Sequence, residues 1–183
     1  MFKMMRIHST LANLNWHFAQ SVKQGKAVGV EGELWQVVMP IMNPPESVHF
    51  ETDEMVMLFG LKDFALFNEI AGLDDRHNGT IKAISVYAEK RVELTSRLPS
   101  AMTGRVGSSA LTETDLMMVR PRMVELNTLI ESVKNQCAVQ ENDAWRSLER
   151  LQSLLASKIG LKITLERLNE DALNAKRQSG SAQ

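Results

Sequence analysis

Four consecutive residues in the middle of the chain carry side chains that could do chemistry: Asp74, Asp75, Arg76 and His77. A carboxylate that orients an imidazole is a common device for proton transfer in hydrolases and nucleases. If this stretch is helical, only side chains three or four positions apart can meet, which leaves Asp74 and His77 as the one possible pair. These two residues are the catalytic candidates of the sequence.

The alternative is that His77 packs inside a helical core. Leu73, His77, Ile81 and Ile84 recur at spacings of four, four and three, which places them on one face of a helix. A histidine in such a seam has an apolar ring body and needs one polar partner, which Asp74 could supply from one turn before. We therefore predict that His77 is a packing residue and that the chain has no catalytic site.

Two Glu-x-x-His-like spacings raise the question of a metal site, because helical di-metal proteins use such pairs. They are Glu46 with His49 and, with aspartate in place of glutamate, Asp74 with His77. The first pair follows two prolines, which bias the chain away from helix. With four histidines in the chain such spacings arise easily by chance, so we predict neither a metal nor another cofactor.

The stretch "LASKIGLKITLERLN", residues 155–169, has the small-residue and glycine spacing of a helix-turn-helix, with Ala156 four residues before Gly160. A DNA-binding regulator that uses residues 155–177 is therefore an alternative function. Glu166 falls where an apolar core residue is expected, and acidic side chains would repel phosphates.

Apolar periodicity in the first half predicts a helix over residues 3–24, ended by Gly25, and a short helix capped by Thr52. Between them, residues 25–50 contain glycines and prolines that predict an irregular segment, in which "ELWQVVM" could form a helical turn or a short strand.

In the second half, a long helix is expected over residues 63–97 and another over 121–158, with a break near residue 141. Residues 99–115 are small and polar, which predicts a mobile loop between these two helices.

Composition narrows the class of protein. Aromatic residues make up 5% of the 183 residues while methionine occurs 11 times, a bias that favours helix over sheet. The net charge of −1 gives no overall attraction to nucleic acid. The lone Cys137 excludes an intrachain disulfide, and no apolar run approaches the roughly 18 residues of a membrane span. We therefore expect a cytoplasmic protein.

The sequence thus predicts an all-α fold, an elongated antiparallel bundle of long helices. We expect a single helical domain over residues 1–178, with an N-terminal helix and irregular arm at 1–50, a bundle at 51–178 and a disordered tail at 179–183. Several helices carry apolar seams that a short chain cannot easily cover by itself. The expected function is a non-enzymatic interaction or scaffold module whose partner is a second copy, as a homodimer, or another protein.

Overall fold

The computed structural model describes residues 1–27, 32–41, 43–96, 113–168 and 173, without the side chains of residues 115 and 116. These residues form five helices and no strand, so the predicted all-α fold is confirmed. In chain order the helices are α1 (Phe2–Ala27), α2 (Leu34–Val37), α3 (Thr52–Gly60), α4 (Phe64–Ser96) and α5 (Glu113–Ile159).

The chain divides into two compact units, and the three long helices contribute residues to both. Unit 1 contains the described residues of Met1–His17, Pro45–Ile81 and Asn135–Gln183, and unit 2 those of Phe18–Pro44 and Lys82–Lys134. A single domain over residues 1–178 stays a prediction.

In unit 1, α4 and α5 are antiparallel. Asp63 accepts a hydrogen bond of 2.6 Å from Arg150, while Thr80, further along α4, donates one of 3.1 Å to Gln136. The core is formed by the apolar seams of three helices, with α1 supplying Met4, Ile7, Leu11 and Leu14, α4 supplying Leu66, Ile70, Leu73 and Ile81, and α5 supplying Cys137, Ala144, Leu148 and Leu151.

In unit 2 the same two helices are again antiparallel, since Lys90 pairs with Glu125 at 2.5 Å and Glu93 with Arg122 at 3.5 Å. Its core is built around the largest fully buried side chain, Trp35 of α2. The other buried apolar side chains of this unit are Phe18, Val38, Ile84, Tyr87, Leu94, Leu126, Ile130 and Val133.

Helix starts follow local side-chain chemistry. Glu51, not Thr52, is the N-cap of α3: its carboxylate accepts the Glu54 N–H, and the Glu54 carboxylate accepts the Glu51 N–H at 2.8 Å. At α4, Asp63 accepts the Leu66 N–H at 3.1 Å, as expected for a cap.

Several predicted boundaries are wrong. Helix α1 passes through Gly25 and ends at Ala27. Helix α5 begins at Glu113, so residues 113–115 of the expected loop at 99–115 are helical, and the rest of that loop lies outside the described residues. Helix α5 also continues through the expected break near residue 141, where the Asn142 side-chain amide donates a hydrogen bond of 3.0 Å to the Ala138 carbonyl one turn earlier.

Helix α5 ends at Ile159, one residue beyond the predicted end at 158. Gly160 has a φ of +70°, the left-handed conformation that glycine adopts without a steric penalty at the end of a helix. In the irregular segment, "ELWQVVM" forms the helical turn α2, and the described residues between α2 and α3 are not helical.

Candidate functional site

His77 is completely buried, with 0% of its surface exposed, as expected for a packing residue. Its expected hydrogen bond to Asp74 is wrong. Neither ring nitrogen has a hydrogen-bond partner among the described residues, and Asp74 instead accepts a hydrogen bond of 3.2 Å from Asn78, one turn further along α4. The structure therefore does not bring the two catalytic candidates together.

The electrostatic setting of His77 is that of a neutral side chain. Burial lowers the pKa of His77 to about 4, and the nearby charges of Arg6 and His49 act in the same direction. Because the ring has no contact with solvent, a substrate cannot come within hydrogen-bond distance of it to exchange a proton. This geometry gives no support to the hydrolase or nuclease alternative.

Asn78 fixes the segment before α3. Its side-chain oxygen accepts the Val48 N–H at 3.1 Å, and its amide nitrogen donates to the Val48 carbonyl at 2.9 Å. The same nitrogen lies 3.1 Å from His49 Nδ1. Because asparagine offers both a donor and an acceptor, it satisfies both polar groups of one backbone residue.

Both residues of the first possible metal pair, Glu46 and His49, take part in other contacts. Glu46 forms an ion pair with Arg6 at 2.7 Å, and His49 lies against Asn78. Within the part of the chain that the structure describes, no group of three potential metal ligands comes together.

A surface cleft of about 310 Å³ in unit 1 contains three guanidinium groups but little free positive charge. Asp143 pairs with Arg76 at 3.4 Å and with Arg146 at 2.5 Å, while Arg150 reaches Asp63 and, at 3.6 Å, Glu69. Since each arginine already faces a carboxylate, the cleft is a set of ion pairs within α5, between α5 and α4, and between α5 and Asp63 just before α4, rather than a site for an anion.

A second titratable cluster joins α1, α5 and the segment after α5. His8 is buried, and its Nε2 lies 3.0 Å from Glu141 Oε1. Arg167 reaches both oxygens of Glu141 at 3.3 Å and stacks on Trp145, with 5.7 Å to the ring centre. Burial lowers the pKa of His8, although Glu141 opposes this shift. Both oxygens of the Glu141 carboxylate are thus occupied by His8 and Arg167, and these contacts attach residues 161–168 to α5.

The geometry does not support the helix-turn-helix. Residues 161–168 after Gly160 are not helical, so the second helix expected directly after the turn is not formed there. The segment is held by its own contacts, since Gln152 donates a hydrogen bond to the Ile163 carbonyl. The remainder of the predicted motif, apart from residue 173, lies outside the described residues.

Cys137 is buried in the apolar seam of α5. Burial raises the pKa of its thiol to about 12, so the reactive thiolate is not populated at neutral pH.

Helix α3 presents the least expected feature of unit 1. None of its nine residues is buried, and three of its apolar side chains are largely exposed: Val56 at 64%, Met57 at 75% and Phe59 at 54%. Phe64, the first residue of α4, is exposed at 56% and packs against Phe59 with the ring centres 5.1 Å apart. These four residues form a contiguous apolar area that we call the α3 surface.

An apolar groove of about 250 Å³ adjoins this surface, and Met57 contributes to both. The rest of its lining comes from the start of α1, from α3 and from the end of α5: Met1, Met4, Phe50, Glu54, Leu58, Leu61, Leu151 and Leu155. The sequence carried a signal for this feature, because five of the nine residues of α3 are large and apolar and cannot all face inward.

In the described part of the chain, no helix combines the length and the apolar character that a transmembrane passage requires. Comparisons with protein families, with curated proteins and with solved structures found no match.

Proposed function

We propose that the chain is a helical interaction module that self-associates through the α3 surface. The observation that supports this function is the contiguous exposure of Val56, Met57, Phe59 and Phe64 beside an apolar groove. Single exposed apolar residues are normal on any protein, but contiguous apolar areas mark contact sites.

A second copy is the partner that this surface fits most simply. A twofold contact uses the same surface on both chains, so apolar residues meet apolar residues without a complementary partner protein. The groove beside Met57 would accept a side chain of the facing copy. Burying apolar side chains that are now exposed would contribute roughly 25 cal/mol for each Å² removed from water, which must exceed the entropy cost of association.

Sedimentation velocity over a range of micromolar concentrations tests the proposal with a matched pair of variants. Val56→Asp introduces a charge into the α3 surface, and Val139→Asp introduces the same charge at a valine of α5 with a similar exposure of 61%. We expect the wild type and Val139→Asp to form dimers or larger species as concentration rises, and Val56→Asp to stay monomeric. A wild-type chain that is monomeric at every concentration would contradict self-association.

A cytoplasmic location is part of the same proposal. It is supported by a lone cysteine that is buried and forms no disulfide. Cell fractionation of the native protein, with recovery in the fraction of soluble cytoplasmic proteins as the expected result, would test it.

A further inference from the structure

Two exposed charges of opposite sign lie at opposite ends of the α3 surface. Asp53 is in the first turn of α3, and Lys62 follows its last residue, Gly60, by two positions. Neither side chain forms an ion pair with any described residue. The neighbouring charges differ in this respect, since Glu54 is already paired with Lys3 at 2.5 Å.

We propose that two copies of the chain associate with their α3 helices antiparallel about a twofold axis. Asp53 of each copy then meets Lys62 of the partner subunit at the two edges of the contact, while Val56 and Met57 lie near its centre. This inference rests on the proposed self-association and adds the relative orientation of the two α3 helices and the charged contacts between them.

Charge complementarity selects the antiparallel direction. A parallel pair would place aspartate against aspartate and lysine against lysine, which is repulsive at both ends. The antiparallel pair converts both contacts into attractions and also opposes the two helix dipoles. A nine-residue helix is about 13 Å long, so two facing copies of α3 overlap along their whole length whether they are parallel or antiparallel. The charges at the helix ends therefore decide between the two orientations.

The size of the surface predicts weak binding. One short helix and Phe64 offer less than the roughly 800 Å² per partner of a standard stable interface. Association through α3 should therefore depend on concentration in the micromolar range rather than being permanent.

Charge reversal provides the test. Asp53→Lys alone and Lys62→Glu alone should each weaken self-association roughly tenfold, because either change creates two like-charge contacts in the antiparallel dimer. The double variant, Asp53→Lys with Lys62→Glu, should regain wild-type affinity. An equimolar mixture of the two single variants should form heterodimers, since every contact between them is again attractive.

Matched controls separate this effect from a general effect of charge. Asp75→Lys and Lys134→Glu make the same changes at exposed positions on α4 and α5 and should leave the affinity unchanged. In 1 M salt the differences among the variants should disappear while apolar association remains. Thermal unfolding of each variant confirms that α3 still folds.

The outcomes distinguish this inference from the function on which it rests. If Val56→Asp abolishes the dimer but neither charge reversal weakens it, the α3 surface is the contact and the antiparallel direction is overturned. If the wild type is monomeric, both proposals fail, and the surface belongs to another protein or to another part of this chain.

Discussion

A buried imidazole without a hydrogen-bond partner costs free energy, and His77 has none among the residues that the structure describes. His77→Leu removes two unsatisfied nitrogens and keeps an apolar side chain in the seam between Leu73 and Ile81. We expect the variant to keep the fold and to be more stable than the wild type by about 1 kcal/mol. His77→Asp should lose about 3 kcal/mol, because it buries an unpaired charge. Urea unfolding measures both values, and a wild-type stability for His77→Asp would show that the position is not part of the core.

The same side chain predicts a pH dependence of stability. The pKa of His77 lies at about 4 in the folded chain and near its ordinary value of 6.5 in the unfolded chain. Between these two pH values His77 is protonated in the unfolded state and neutral in the folded state. The free energy of unfolding is therefore highest above pH 6.5 and falls as the pH approaches 4. This loss should be roughly 3 kcal/mol in the wild type and should be missing from His77→Leu. Unfolding curves at pH 7 and pH 4.5 for both proteins test it, and equal losses would contradict the assignment.

Cys137 gives a prediction that needs no substitution. Because burial holds the pKa of the thiol at about 12, its reaction with a thiol reagent at pH 8 should be slow in the native protein and rapid in the unfolded protein. Labelling followed by mass spectrometry, with and without denaturant, measures the ratio of the two rates. Fast labelling of the native protein would place Cys137 at the surface.

At the scale of elements, α4 organises the irregular segment by binding its main chain with side chains. In unit 2, Tyr87 donates a hydrogen bond of 2.7 Å to the Val38 carbonyl, and Arg91 donates to the same oxygen. In unit 1, Asn78 satisfies both backbone groups of Val48. Non-helical backbone can be buried only if its polar groups are paired, and these side chains replace the bonds that a helix would have made.

Asn78→Ala should therefore cost about 2 kcal/mol, because it leaves the Val48 N–H and carbonyl without their partners. The matched control is Asn13→Ala. Among the described residues the Asn13 amide bonds the Ser9 carbonyl within α1 alone, so its loss should be nearly neutral. Equilibrium unfolding gives the two free energies, and hydrogen exchange should show faster exchange of the Val48 amide in Asn78→Ala alone. Unchanged Val48 protection would show that other contacts hold the segment.

At the scale of the whole molecule, self-association predicts a link between stability and concentration. A ligand that binds only the folded state raises the unfolding temperature by mass action, and here the ligand would be a second copy. The melting temperature of the wild type should rise with protein concentration, and that of Val56→Asp should not. Differential scanning calorimetry over a hundredfold range of concentration separates the two, and a constant wild-type value would contradict the proposal.

The sequence by itself determined the all-α class and most of the helical seams. Ile7, Leu11, Leu14 and Phe18 were recognisable because helical periodicity is local and survives without knowledge of the partner helix. The burial of His77 followed from the same periodicity. The end of α5 at Ile159 lies one residue from the predicted 158, because the left-handed backbone conformation of Gly160 is a property of one residue.

Only the tertiary structure decided which polar groups meet. The Asp74–His77 pair was plausible by spacing, but Asp74 accepts a hydrogen bond from Asn78 instead. The Asn78 side chain is in turn positioned by Val48, 30 residues away in the chain. The contact of His8 with Glu141 spans 133 residues and leaves no periodic signal. The exposure of the α3 surface is also a tertiary property, because an apolar side chain becomes available to a partner only when the rest of the chain does not cover it.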